Sequence, residues 1–222
     1  VAKRNSLGEW GEIELMEGEM NSDFDEGTVS FSADGKTMFF TRCYTEKGES
    51  RGAQICMTTR SGGKWGKVTE VELSKDSSVT FAHPTLSPDG KYLYYVSDLA
   101  GGYGGKDIWR SERNGAQFGT PVNLGPSINT SGDEMFPYMR ENGTLYFSSD
   151  GHPGFGGLDI FYANEMEDGN WVVSNMMYPM NSNGDDFGIS FISGVEKGMF
   201  SSNRGEKKGY DKLYDFELPE IE

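Results

Sequence analysis

The chain has 222 residues, with 20 Lys plus Arg against 35 Asp plus Glu, for a formal net charge of −15. That balance argues against a nucleic-acid ligand, whose phosphates need clustered Lys and Arg, and no apolar run is long enough to span a bilayer as a helix. The chain opens on Val1 rather than Met, as a processed form or an excised piece would, so the lack of a visible leader excludes nothing.

Residues 9–15, EWGEIEL, read as a strand led by an aromatic. The same pattern returns at Trp65, Phe118 and Trp171, so the series from Trp10 runs at separations of 55, 53 and 53. Next comes FSADGKTMFFTR around Gly35, then PTLSPDGKYLYYVSDLAGGYGGKDIWR from Pro84 to Arg110. Around Gly143 the chain reads YMRENGTLYFSSDGHPGFGGLDIF, and near the C-terminus SFISGVEKGMFSSNRGEKKGYDKLY. The aromatics Phe40, Tyr95, Phe147 and Phe200 stand 55, 52 and 53 apart, and Ile55, Ile108, Ile160 and Leu213 stand 53, 52 and 53 apart. A fixed period near 50 marks a repeat architecture with one supersecondary unit per repeat.

Each unit reads as strands. Asp34-Gly35, Asp89-Gly90 and Asn142-Gly143 predict two-residue hairpin turns, because Asp-Gly and Asn-Gly supply positive φ. The fourth copy has Gly194 and Gly198 instead, which predicts a longer turn. The run Tyr92 to Val96 is aromatic and β-branched without polar alternation, so both its faces are expected to be covered. A Gly-rich loop follows, then a short third strand, then the aromatic-led fourth. Four antiparallel strands in about 53 residues make one propeller blade. The expected fold is therefore all-β, a four-bladed β-propeller of four-stranded antiparallel blades. Blades 24–76, 77–131 and 132–184 are whole; residues 185–222 plus 1–23 make the fourth, in a single domain over 1–222. The chain begins with a fourth strand and ends after a third, so residues 9–15 are expected beside 211–217, completing the last blade and removing a free edge. A larger ring of which this is an excerpt is the alternative. Cys43 and Cys56 lie on the second and third strands of the first blade. Facing Gln54 and Thr41 respectively, they would be diagonal neighbours about 7 Å apart. That is beyond the usual disulfide span of about 5.5–6 Å, so two buried thiols are expected rather than a bridge.

The turn and strand Ser87-Pro88-Asp89-Gly90-Lys91-Tyr92-Leu93-Tyr94-Tyr95 resemble the WD40-like, TolB-type propeller repeats known as PD40. The longer run GGYGGKDIW, PVNLGPSINTSGDEMFPY and LYFSSDGHPGFGGLDIF is similar to the repeats of OmpA-family envelope proteins, a periplasmic subunit of the type IX secretion system among them. The match covers essentially the whole chain and is strongest in the second and third blades. The resemblance implies a propeller, a periplasmic or outer-membrane-associated home and an interaction role, with an envelope protein or peptidoglycan-associated partner.

Chemistry is weighed on the residues themselves. Ser32-Ala33-Asp34-Gly35 and Ser87-Pro88-Asp89-Gly90 lack the spacer of a sialidase Asp-box. The acidic residues Asp25, Glu26, Asp133, Glu134, Asp185 and Asp186 recur at one place in the repeat, as a structural role predicts, whereas a glycosidase needs one carboxylate pair. Asp98 with Asp107 and Asp150 with Asp159 bracket the Gly-rich loops without the spacing of a calcium loop. His83 and His152 lie on different elements, which does not suit zinc. We expect no catalytic centre, no metal and no cofactor. The alternative is a carbohydrate-active propeller. For binding, the candidates are Tyr103 and Phe155 at the loop tips, His83, and the acidic residues Asp133, Glu134, Asp185 and Asp186, which would suit a basic partner of a monomeric domain.

Overall fold

The computed structural model describes residues 2–3, 5, 10–46, 49–205 and 210–219. Every regular element among them is a strand, and the strands form four antiparallel sheets arranged as the blades of a propeller. The first holds β1 (Asp25–Phe31), β2 (Thr37–Glu46), β3 (Glu49–Ser61), β4 (Lys64–Trp65) and β5 (Thr69–Glu70). The second holds β6 (Phe81–Leu86), β7 (Tyr92–Ser97), β8 (Asp107–Asn114), β9 (Gln117–Phe118) and β10 (Val122–Asn123). The third is β11 (Glu134–Met139), β12 (Leu145–Ser149), β13 (Asp159–Glu165) and β14 (Trp171–Asn175); the fourth is β15 (Asp186–Phe191), β16 (Lys197–Ser202) and β17 (Lys212–Glu217). No helix among the described residues is long and apolar enough to cross a membrane.

The core lies between the blades, because the second and third sheets are covered on both faces by their neighbours. Phe39 and Ile55 of the first blade pack against Leu93, Tyr95 and Trp109 of the second. Tyr94 and Ile108 of the second meet Leu145, Phe147 and Phe161 of the third. Tyr146 and Ile160 of the third meet Ile189 and Phe200 of the fourth. Alternate residues of β7 therefore point into different interfaces, which explains a strand without polar alternation. Successive blades are also tied at their innermost strands. Leu86 N–H donates to Ser30 Oγ (3.1 Å) and Met139 N–H to Thr85 Oγ1 (3.1 Å). The Tyr138 hydroxyl in the same place takes up the backbone of Phe191.

Three expectations are corrected. The Asp-Gly turns are not two-residue hairpins. Ser32 N–H bonds to Thr37 O and Gly35 N–H to Ser32 O, and Ser87, Gly90 and Tyr92 repeat the pattern. Only the glycine takes positive φ, while the aspartate accepts the serine hydroxyl and the second N–H beyond it (Asp89 Oδ1 from Ser87 Oγ, 2.7 Å, and Lys91 N, 3.1 Å). The fourth turn closes Ile192 on Lys197, the same span as Ser32 to Thr37 and Ser87 to Tyr92, so it is longer only than the third, which closes Arg140 on Thr144. The register of the first blade pairs Thr41 with Ile55, Cys43 with Ala53 and Phe40 with Cys56. A one-residue slip moves side chains to the other face, so the two cysteines face opposite ways; both are free.

The third correction concerns closure. The last sheet has three strands among the described residues, and residues 11–15 belong to no ladder; Glu9 lies outside the described residues. Instead Gly11 N–H donates to Lys3 O, and Met16 and Met20 pack on Met38, Phe40 and Cys56 of the first blade. Arg42 fastens that segment, donating to Glu26 Oε1 (2.9 Å) and Glu19 O (3.0 Å). Trp10, Ile13 and Leu15 are left exposed.

Candidate functional site

The two Gly-rich loops, 98–107 and 150–159, lie at one end of the blades with the linkers that lead to the next innermost strand. Each is built around its closing aspartate. Asp107 accepts Tyr103 N–H (2.6 Å), Gly104 N–H (3.2 Å) and the Asn123 carboxamide (3.0 Å). Asp159 accepts Phe155 N–H (2.7 Å) and Gly156 N–H (3.1 Å). The loops also lie hard against the following linker. A Cβ on Gly104 would stand 2.2 Å from Gly132 O, and one on Gly156 2.0 Å from Gly184 O, so only glycine fits there. Tyr103 and Phe155 are about half exposed, at 51% and 50%.

The structure divides the acidic candidates. Glu134 and Asp186 are fully buried and are removed from any docking surface. Glu134 receives Thr130 N–H (2.8 Å), Thr130 Oγ1 (2.6 Å) and Ser149 Oγ (2.7 Å). Asp186 receives Ser182 N–H (2.6 Å) and pairs with Arg204 Nη2 (2.6 Å). Buried carboxylates persist when their oxygens are met in this way. Asp133 and Asp185 are partly exposed but also join blades: Asp133 accepts Lys106 N–H (2.9 Å) and Asp185 accepts Leu158 N–H (3.0 Å).

His83 sits elsewhere, on the wall of a central cavity of about 550 Å³ that all four innermost strands line. At its level each innermost strand carries a bulge with a positive-φ residue: Thr28 (39°), His83 (52°), Phe136 (52°) and Gly188 (66°). Positive φ is unusual for non-glycine residues and a true outlier for β-branched or bulky ones. Interblade bonds hold the bulges in place. His83 N–H donates to Thr41 Oγ1 (2.9 Å), which also bonds Thr28 Oγ1 (2.7 Å). Phe136 N–H donates to His83 Nδ1 (3.2 Å). The imidazole stacks on Phe136 at 4.1 Å and 13°, and Phe136 lies 5.0 Å from Phe187. Burial, and then the positive charge of Lys106, lower the His83 pKa to about 4, so the ring is neutral; with Nδ1 accepting, its proton is on Nε2. Glu141 is the one carboxylate among the described residues lining the cavity, and it accepts from Ser193 Oγ (2.5 Å).

Sequence reasoning missed this ring of bulges. The signal was slight: His83-Pro84 and Phe136-Pro137 interrupt strand-like runs, as proline does at bulges. It also missed Asn129 and Asn181, whose buried carboxamides each accept from the N–H and donate to the C=O of one third-strand residue, Ile108 and Ile160 respectively (2.8–3.0 Å).

The same arrangement of blades recurs in solved structures. TolB from Acinetobacter baumannii matches with a TM-score of 0.55 at 13% identity, over 87% of this chain and 41% of that one. A putative TolB from Agrobacterium tumefaciens matches with a TM-score of 0.56 at 14% identity, over 88% and 59%. The fold is a TolB-like β-propeller. Prolyl oligopeptidase B from Galerina marginata also matches, with a TM-score of 0.51 at 15% identity over 87% of this chain and 26% of that one. This TolB-like chain spans about two-fifths to three-fifths of the TolB chains and about a quarter of the peptidase. No protein-family model matches it, and neither does any curated protein by sequence.

Proposed function

We propose that residues 1–222 form one propeller domain that serves as a non-catalytic interaction module of the cell envelope, extracytoplasmic, with its binding surface at the end that bears the Gly-rich loops. One observation carries this reading. The recurring carboxylates, which would be the raw material for hydrolysis, are occupied by backbone N–H groups and hydroxyls that brace each loop and linker and, at Asp133 and Asp185, tie a loop to the next blade. What those locked loops hold out to solvent is aromatic, Tyr103 and Phe155. Aromatic side chains on a rigid scaffold are suited to burial at an interface. A two-carboxylate glycosidase mechanism needs a pair across a cleft, and Glu141 stands alone in the cavity wall among the described residues. The TolB likeness supports an envelope setting, and a periplasmic, peptidoglycan-associated assembly such as a type IX secretion complex fits the repeat resemblance. The net charge of −15 favours a basic partner.

The test is capture from envelope extract with the wild-type chain and the double variant Tyr103→Ala with Phe155→Ala. Selective loss of one captured protein in the double variant supports the loop face. Loss only when the turns at Asp34-Gly35 and Asp89-Gly90 are charge-reversed would move the interface to the opposite end. Turnover of glycoside or peptide substrates that one carboxylate substitution abolishes, with folding intact, would overturn the non-catalytic reading.

A further inference from the structure

The linkers that leave the second and third blades share one backbone design. Leu124-Gly125-Pro126-Ser127-Ile128-Asn129 and Met176-Met177-Tyr178-Pro179-Met180-Asn181 align residue for residue. In each, a carboxamide oxygen accepts the N–H of the second residue: Asn123 from Gly125 (2.8 Å) and Asn175 from Met177 (2.7 Å). In each, the clamping asparagine donates its backbone N–H to the C=O of that same residue, at 2.9 Å. The second residue takes positive φ both times, 85° at Gly125 and 61° at Met177. Glycine adopts this conformation freely, whereas a long side chain does so at a cost. Core packing does not offset that cost, because Met177 joins none of the buried clusters and is 55% exposed. Tyr178 beside it is 79% exposed, more than any other aromatic among the described residues. The backbone underneath is held firmly. Arg204 donates to Pro179 O (2.7 Å) and Met180 O (2.5 Å), and Asn175 Nδ2 reaches Pro153 O (3.4 Å) in the loop that carries Phe155.

From this we infer that Met177 and Tyr178, with Phe155 on the neighbouring loop, form a docking patch for an arginine-bearing segment of a partner protein. The inference rests on the reading of the Gly-rich loop end as the binding surface and narrows that surface to the third blade. Strained backbone persists where the side chain it presents is needed. The second blade shows that glycine makes the same turn when no side chain is wanted. A thioether and a phenol ring on a braced backbone lose little freedom when a partner covers them. Charge selects the occupant. Two carboxylates bracket the Phe155 loop: Asp150 at its start, accepting Asp133 N–H (2.8 Å), and Asp185, accepting Leu158 N–H (3.0 Å). Neither has a Lys or Arg partner among the described residues. Arg204, the cation bonded to this linker, is itself paired with Asp186 (2.6 Å). An arginine guanidinium can lie flat on an aromatic face while its N–H groups meet a carboxylate, so it uses both features of the patch. A lysine matches the charge without the planar stacking, and an acidic segment is repelled.

The experiment titrates the whole chain with oligo-arginine, oligo-lysine and oligo-glutamate peptides at low salt and follows the aromatic ring signals by NMR. Wild type, Tyr178→Ser and Met177→Gly are compared, each checked for folding by circular dichroism. The arginine peptide should shift the Tyr178 and Phe155 signals, bind more tightly than the lysine peptide, and lose about threefold or more in affinity with Tyr178→Ser. Met177→Gly should weaken binding while Tm stays level or rises, because glycine relieves the strained φ; a merely structural residue would not behave so. Ring signals that do not move overturn the inference, as does equal binding of the lysine peptide or full affinity in Tyr178→Ser. A Tm lowered by more than about 4 °C in Met177→Gly also overturns it, since the side chain is then packed within the fold. Capture from envelope extract separates this inference from the reading it rests on. A protein lost with Tyr103→Ala and Phe155→Ala but retained with Met177→Gly and Tyr178→Ser leaves the loop end standing and removes the patch, whereas a protein retained by both pairs removes the loop end as well.

Discussion

Replacing Asn181 by Ala tests how the blades are fastened. The Asn181 side chain is fully buried. Its Oδ1 accepts Ile160 N–H (2.8 Å), and its Nδ2 donates to Ile160 O (2.8 Å) and to Asn175 Oδ1 (2.8 Å). Ile160 is itself 0% exposed, so water cannot take over its backbone groups without opening the junction. Removing one partner leaves each buried group with a desolvation cost of about 1–3 kcal/mol. Two backbone groups set a range of about 2–6 kcal/mol, and partial relaxation brings the expected loss to about 3 kcal/mol. For a chain of this size that lowers Tm by roughly 6–12 °C. Asn21, at the same place in the repeat, is exposed and donates to Met16 O (2.5 Å), so Asn21→Ala should cost less than about 0.5 kcal/mol. Urea denaturation of both variants with a shared m-value decides the matter. A loss below about 1 kcal/mol for Asn181→Ala, or equal losses for the two asparagines, would refute the clamp.

Trp171→Ala, which empties a buried site in the junction of the second and third blades, should destabilise the fold by about 3–5 kcal/mol; the same change at partly exposed Trp65 should cost visibly less in a parallel melt. Gly156→Ala should lower Tm without altering the far-ultraviolet spectrum, because its Cβ meets Gly184 O at 2.0 Å; an unchanged Tm would mean that the loop does not rest on that linker. His83 has a folded-state pKa of about 4 against an ordinary value of 6.5, so the unfolded chain binds more protons between these values. Stability should be full above pH 6.5 and fall as pH drops through 4, by on the order of 3 kcal/mol, and His83→Phe should flatten that part of the profile. A histidine ring signal that titrates near 6.5 in an NMR experiment and belongs to His83 would contradict its burial. Tyr103→Ala with Phe155→Ala should leave Tm within about 2 °C of wild type, since both rings are half exposed.

The repeat was legible in the sequence because a blade is a local object. Its turn, its aromatic second strand and its short third strand sit within about 53 residues, and each copy restates the hydrophobic pattern that makes a two-faced strand. That was enough for the all-β class, the number of blades and the end at which the long loops cluster. Register was not legible. The turn at Ser32 to Thr37 closes through a serine–aspartate bond and one positive-φ glycine rather than two, which shifts Cys43 onto Ala53 and turns the cysteines to opposite faces. Nor could composition tell a carboxylate that faces a partner from one that ties a loop: Asp133 and Glu134 are neighbours in the chain, yet one is partly exposed and the other is sealed by Thr130 and Ser149. The fate of the N-terminal segment was decided by the tertiary structure alone. An aromatic-led strand at residues 9–15 matches the outer strands in pattern, but residues 11–15 join no ladder, and the chain that follows them is held on the first blade by Arg42 at Glu19 and by Met16 and Met20. Strand pattern is a property of a few residues; which edge a strand meets depends on how four blades sum their angles, and no single repeat contains that quantity.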